Sequence, residues 1–131
     1  MKYELPDVLP ILRPGAEWEA RATREDGYLY SNLVWLDNKT SKPTEIEINN
    51  KIADMDDAEP GRQLREARNI LLAESDWVVV KAQETGTEIP KEWKEYRQAL
   101  RDLPYTANPK LDDSYYLDPT SFTMPTKPSL D

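Results

Sequence analysis

The strongest constraint on the fold is a stripe of large apolar side chains in the second half of the chain. Its members are spaced as on one face of an α-helix: Trp93, Tyr96, Leu100 and Leu103. Pro90 stands just before the stripe, where a missing N–H costs no helical hydrogen bond, and it predicts the first turn of a helix. Pro104 follows the stripe directly and predicts the end of that helix.

A second apolar stripe precedes this helix and contains Leu64, Ala67 and Leu71, with charged and polar residues on the opposite face. Neither predicted helix is long enough to be stable alone, because helix nucleation is costly. We therefore expect the two helices to pack as an αα-hairpin over residues 60–104. The residues predicted to form the structural core of the chain are Trp35, Leu71, Trp77, Trp93, Tyr96 and Leu100.

The predicted turn of this hairpin contains Ser75 and Asp76. Ser75 is a poor candidate for a catalytic nucleophile, because the chain has no histidine to act as its base. A structural role is expected instead, with Asp76 accepting a hydrogen bond from an arginine. Arg97 and Arg101 on the second helix are the predicted partners for carboxylates on the first helix.

The N-terminal segment, residues 1–15, contains three regularly spaced prolines: Pro6, Pro10 and Pro14. Proline removes a helical N–H donor and disfavours helical geometry at the preceding residue. The sequence therefore predicts an extended arm for this segment.

The next segment has the features of a β-hairpin. From Trp18, apolar and charged residues alternate as in a half-buried strand, and Asp26-Gly27 favours a tight turn. The run YLYSNLVWLD is rich in the aromatic and branched residues typical of a second strand. Residues 16–37 are thus predicted to form a hairpin or small meander, to which Val78–Val80 could add a short edge.

The helix predicted next begins with a capping box, in which the side chains of Thr44 and Glu47 satisfy free backbone N–H groups. We expect this helix to end at about Met55. The acidic cluster Asp54–Glu59 lacks the ligand spacing of a calcium-binding loop and is predicted to be a linker. The hairpin and this helix would occupy residues 16–59, which places the chain in the α+β class.

The C-terminal tail, residues 105–131, is interrupted by four prolines and should form neither a regular helix nor a strand. It nevertheless contains many large apolar residues, which favour a contact rather than a free tail. The predicted partner-binding residues are Tyr105, Leu111, Tyr115, Tyr116, Leu117, Phe122, Met124 and Pro125. The alternative, which the sequence leaves open, is that the tail folds back over its own domain.

Composition excludes several classes of function. The chain has no histidine and no cysteine, so it lacks the commonest general base, the thiolate nucleophile and the commonest metal ligands. We expect no catalytic residue, no cofactor and no metal site. The net charge of −8 disfavours nucleic acid and anionic membranes as partners. The expected product is a soluble protein whose partner is another protein.

Two motifs carry a family resemblance over residues 68–104: R-N-x-L-L-A-x-S-D-W and, after a short loop, W-x-x-Y-R-Q-A-L-R-D-L-P. Their order and spacing resemble the tail assembly chaperone family of tailed bacteriophages. Trp35-Leu36-Asp37 and Lys42-Pro43-Thr44 also resemble family features. The proline-rich ending is similar to that of some members, which tend to carry Trp where this chain has Met124.

The resemblance implies a role in building the phage tail. In the favoured interpretation, the protein is a chaperone in the host cytoplasm that binds the distal part of a trimeric tail fibre protein and assists its folding and trimerisation. The alternative is a permanent structural component of the virion, such as a cap or adaptor of the tail or fibre. A homo-oligomer within the complex is compatible with both.

Overall fold

The computed structural model of the chain describes residues 2–129, which divide between Ala58 and Glu59 into two compact units. The first unit contains small antiparallel strand pairs and a short helix, and the second is helical. Small hairpins followed by long, packed helices confirm the predicted α+β class.

The first unit begins with helix α1, Leu5–Leu12. Four two-residue strands follow: β1 Trp18–Glu19, β2 Ala22–Thr23, β3 Gly27–Tyr28 and β4 Val34–Trp35. A short 3-10 turn, Tyr30–Asn32, separates the last two strands. β1 pairs antiparallel with β4, and β2 with β3, so the inner pair is nested inside the outer pair. This arrangement confirms the predicted hairpin, and Gly27 supplies a positive φ of 67° at its turn.

The core of the first unit consists of α1, the hairpin and the start of the next helix. Its buried side chains are Leu5, Val8, Leu9, Leu33 and Ile48. Trp18 and Trp35 lie opposite each other in the β1–β4 pair and pack against this core. Trp35 is half-buried, and its indole N–H donates a 2.9 Å hydrogen bond to the carbonyl of Thr40. This predicted core residue therefore lies at the edge of the core.

The predicted N-terminal arm is wrong for Leu5–Leu12, which form α1. Pro6 lies in the first turn, where an N–H has no helical partner. Pro10 is inside the helix and destabilises it by about 3 kcal/mol. Val8 and Leu9, however, are fully buried, and each such side chain stabilises the fold by about 1.5–3 kcal/mol. The free energy gained by burying these side chains thus outweighs the cost of the proline. The local sequence shows the proline but not the burial.

Helix α2 spans Glu45–Glu74. Its predicted capping box is confirmed, because the N–H of Glu47 donates to Thr44 Oγ1 at 3.1 Å and the N–H of Thr44 donates to Glu47 Oε2 at 3.3 Å. The predicted helix end at Met55 and the predicted linker over Asp54–Glu59 are wrong, since the helix continues through both.

Pairing of charges explains why the acidic segment remains helical. Arg62 forms ion pairs with Glu59 one turn earlier and with Glu66 one turn later. Pairs at this spacing stabilise a helix by about 0.2–0.5 kcal/mol each. The Glu59 side chain is buried, so it belongs to the packed helix rather than to a solvated linker. Pro60 lies inside the helix and removes only one N–H donor.

The second unit contains the end of α2 together with α3, Asp76–Thr85, and α4, Lys91–Thr106. Gly86 ends α3 in the left-handed conformation, with φ +64°, and its N–H donates back into the helix. The predicted αα-hairpin is therefore present as packed helices, with an additional break at Ser75 that divides its first arm into the end of α2 and α3.

Two local predictions in this unit are wrong. Val78–Val80 lie in α3 and form no strand, because Val78 is buried among the helices and packing outweighs the strand preference of valine. Pro104 does not end α4, which continues to Thr106. The buried side chains of Leu100 and Leu103 hold the last turn of α4 in place despite the lost N–H.

A pH-dependent prediction follows from the ion pair between Arg13 and Glu47. The Arg13 guanidinium donates hydrogen bonds of 3.0 and 3.2 Å to the carboxylate and lowers the pKa of Glu47 below its ordinary value of 4.5. Because the folded pKa is the lower one, this pair stabilises the fold above about pH 4.5 and ceases to do so as the pH falls through the folded pKa. Glu47→Gln should lower the melting temperature at neutral pH, and the difference from wild type should shrink in acid.

Thermal melting between neutral pH and strong acid, followed by circular dichroism, checks this. Glu45→Gln is the matched control, since it removes a carboxylate from the same helical turn that makes no ion pair within residues 2–129. A Glu47→Gln effect that stays equal at all pH values would contradict the account.

Candidate partner-binding groove

An aromatic cluster forms the centre of the helical unit. Trp93 packs edge-to-face against Trp77, with ring centroids 5.6 Å apart, and against Tyr96, with centroids 5.9 Å apart. Trp93, Tyr96 and Leu100 are buried, whereas Leu71 is half-buried against them. Trp77 is predicted to lie in the core, but 45% of its surface remains exposed. The cluster thus has a fixed interior and one open aromatic face.

Arg97 ties α4 to the junction between α2 and α3. Its Nη1 donates to the carbonyl of Leu72 at 2.9 Å and to Ser75 Oγ at 2.6 Å, and its Nη2 donates to Asp76 Oδ1 at 2.9 Å. The Arg97–Asp76 ion pair confirms the prediction that Arg97 meets a carboxylate. Arg101 instead donates to the Gln98 amide oxygen, so its predicted carboxylate partner is wrong. Ser75, 1% exposed and held by Arg97, is a structural residue.

Arg97→Met should therefore lower the free energy of unfolding by about 2–3 kcal/mol, because hydrogen bonds to a charged group contribute about 1.5–3 kcal/mol and Ser75 and Leu72 lose a buried donor. Arg97→Lys should recover only part of the loss, since one ammonium cannot reproduce the planar fork. Chemical denaturation measures both variants. Arg101→Met, on the same helix, should change stability by less than about 0.5 kcal/mol. Equal effects at the two arginines would show that the junction does not depend on Arg97.

A groove of about 910 Å³ lies between α3 and α4. Its helical walls include Trp77, Val78, Lys81, Ala82, Trp93 and Tyr96. The loop between α3 and α4 and residues 125–129 of the tail also line it, and we name the tail segment the strap. The groove therefore combines the open face of the aromatic cluster with a stretch of the C-terminal tail.

The tail reaches the groove by folding back along the helices. Gln63 on α2 holds it at two points, since its Nε2 donates to the carbonyl of Tyr115 at 2.9 Å and its Oε1 accepts from the N–H of Leu117 at 2.7 Å. Leu117 pairs with Leu111 in an isolated antiparallel bridge. Met124 then packs against the aromatic cluster. Of the two alternatives that the sequence left open, the structure shows the folded-back tail.

The turn that carries the exposed tyrosines is well fixed. Asp112 Oδ1 accepts from the N–H groups of Ser114 and Tyr116 at 2.8 and 3.0 Å. Tyr115 has a φ of +64°, in the left-handed region that residues other than glycine rarely adopt. The hydrogen bonds to Asp112 and Gln63 therefore hold Tyr115 in a strained conformation at the surface.

The sequence of this unit decides its family. Residues 61–129 match the family described as phage tail assembly chaperone protein, which covers more than half of the chain. The chain belongs to the phage tail assembly chaperone family. The match includes the aromatic cluster, the Arg97 junction, the groove and the strap. No curated protein and no solved structure matches the chain.

Within this chaperone, the residues predicted to bind a partner fall into two groups. The tyrosines Tyr105, Tyr115 and Tyr116 are exposed, at 88%, 40% and 67%. The others are half-buried against their own domain: Leu111, Leu117, Phe122, Met124 and Pro125. Only the first group is exposed enough for a partner to contact it directly.

Sequence reasoning missed the groove as a site. Its acidic rim, Glu88 and Glu92, sits in a polar loop and a helix start that carry no motif. Gln63, which positions the tail, is likewise an unremarkable polar residue of α2. These residues acquire a role only when the helices and tail are packed.

Within residues 2–129, no group of three or more His, Cys, Asp or Glu side chains is arranged to hold a metal ion. In that same range, no helix is both long and apolar enough to cross a bilayer.

Proposed function

We propose that this chain acts in the host cytoplasm as an assembly chaperone for a tail fibre protein. It binds the distal part of newly made fibre chains, covers their apolar surface and assists their folding and trimerisation. The family match over residues 61–129 carries the proposal, because it coincides with the unit that holds the groove. Membership of a chaperone family agrees with a role without catalysis.

The exposed apolar surface of the helical unit supports a protein partner. Trp77 opens into the groove, and Tyr105, Tyr115 and Tyr116 lie exposed on α4 and the tail. A few large aromatic residues usually supply most of the binding free energy of a protein interface. We infer that Trp77 and these tyrosines contact the fibre, whereas Leu111, Leu117, Phe122, Met124 and Pro125 support them from inside the domain.

Charge supports the same class of partner. The net charge of −8 disfavours the phosphates of nucleic acid and the surface of anionic membranes. A fibre region with exposed apolar and basic residues would instead be complementary to this surface.

Co-expression tests the proposal. The tail fibre gene of the same phage is expressed with and without this chain, and the yield of trimeric fibre is measured by size-exclusion chromatography with light scattering. We expect the chain to raise the trimer yield and to co-purify with fibre chains. Equal trimer yield without co-purification would refute the proposal. Abundant chain in purified virions would favour the permanent structural component.

A further inference from the structure

We propose that the groove between α3 and α4 binds a short segment of the newly made fibre protein in which apolar side chains stand next to a Lys or Arg. This inference rests on the proposed function, because it names the part of the client that the chaperone holds. The aromatic wall of the groove, its size and its charge each support it.

The aromatic wall is pre-formed. Trp77 is 45% exposed, yet its ring is fixed edge-to-face against the buried Trp93. A rigid ring that is already in place loses little conformational entropy when a partner covers it. Tyr96, buried beside Trp93, keeps that support in position. Trp77 is therefore suited to anchor an apolar side chain of a partner.

The size of the groove limits what it can hold. A volume of about 910 Å³ falls within the range of roughly 300–1,000 Å³ typical of sites that enclose small ligands. A few side chains fit such a volume, whereas a folded domain does not. The groove therefore suits a short stretch of chain, which an unassembled fibre protein still exposes.

The charge of the groove favours a bound segment that carries a Lys or Arg next to its apolar side chains. The groove lining contains three carboxylates, those of Glu88, Glu92 and Glu95, and two ammonium groups, those of Lys81 and, on the strap, Lys127. Glu95 is paired with Lys91 at 3.7 Å. Glu88 and Glu92 form no ion pair within the part of the chain that the structure describes. A Lys or Arg of the client would meet these two carboxylates at the rim.

The strap shows that a cationic side chain and apolar residues can lie together at the groove. Lys127 lies between Pro125 and Pro128, and all three line the groove together with Trp77. A cationic side chain directly followed by an apolar residue, Pro128, thus already borders this surface. A client cation near the exposed ring of Trp77 would gain a further cation–π attraction of about 0.5–1 kcal/mol.

The test uses the full-length chain and overlapping short synthetic peptides that cover the fibre protein of the same phage. Fluorescence anisotropy gives the Kd of each peptide. We expect the peptides that bind to contain apolar residues next to Lys or Arg. Trp77→Ala should weaken binding by about tenfold or more, and Glu92→Lys should weaken it several-fold, with a smaller difference at high salt.

Two matched controls lie on α3 outside the groove. Val80→Ala removes an exposed apolar side chain, and Glu84→Lys makes the same charge change as Glu92→Lys. Both should bind peptides as wild type does. Because Trp77 also touches Trp93, melting curves establish whether Trp77→Ala is folded, and the exposed Glu92→Lys provides the test if it is not.

The outcomes separate this inference from the proposed function. If full-length fibre and peptides bind Trp77→Ala and Glu92→Lys as tightly as wild type, the inference is wrong and so is the contact of Trp77 with the fibre, whereas the chaperone role stands. If only acidic or purely polar peptides bind, the inference is also wrong. If neither the fibre nor any peptide binds the wild-type chain, both are overturned.

Discussion

Trp93→Ala should lower the free energy of unfolding by about 3–5 kcal/mol, the usual loss for truncating a large buried aromatic side chain. Trp93 is 6% exposed and is the central ring of the cluster, in contact with both Trp77 and Tyr96. Domains of this kind are typically stable by only about 5–15 kcal/mol, so the variant should be close to unfolding. Its groove would also lose the ring that supports Trp77.

Urea denaturation followed by circular dichroism measures this loss. Tyr105→Ala is the control, because it truncates an aromatic residue of the same helix that is 88% exposed, and it should change stability by less than about 0.5 kcal/mol. An unchanged denaturation midpoint for Trp93→Ala would mean that α4 presents a different face to its neighbours than the structure shows.

Removal of residues 108–131 should lower the free energy of unfolding by about 2–4 kcal/mol, since several half-buried apolar side chains would lose their contacts. Met124 would no longer cover the aromatic cluster, and Gln63 would lose both hydrogen bonds to the tail. The exposed cluster should then bind a hydrophobic dye such as ANS more strongly than the full chain does.

The control for the truncation is Tyr116→Ala, which removes an exposed tail residue while leaving the packing intact. This variant should melt as wild type but bind the fibre more weakly. A truncated chain that melts as wild type and binds no additional dye would show that the tail is a spacer rather than part of the fold.

The sequence predicts the structure best where a local pattern, such as a helical period or a capping box, agrees with the burial of the side chains. The stripe on α4 has a clear helical period, and the side chains of Trp93, Tyr96 and Leu100 lie in the core. The capping box of Thr44 and Glu47 is likewise complete within one turn. Such features depend on neighbours along the chain, so a single sequence is enough to recognise them.

The wrong secondary-structure predictions share a physical cause: the packing of buried side chains outweighs the conformational preference of the local sequence. Pro10, Pro60 and Pro104 all lie inside helices, because the buried side chains around them stabilise the helix by more than one lost hydrogen bond destabilises it. Val78–Val80 are helical for the same reason.

The groove could not be predicted because it depends on the break at Ser75. That break starts a new helix, α3, whose second residue is Trp77, and 45% of the surface of Trp77 remains exposed although spacing alone places it in the core. The direction of the tail depends on Gln63, an ordinary polar residue of α2. Both features come from contacts between residues that are distant in the sequence.

Hydrogen exchange of the full-length chain, with and without the tail fibre protein, tests the central claim most directly. Binding slows exchange where a partner covers the backbone or prevents local opening. We expect slower exchange in residues 77–96 and around Tyr115 and Tyr116, with residues 5–35 unchanged. Slower exchange confined to the first unit, or no change in any region at saturating fibre protein, would contradict the claim that the helical unit binds the fibre.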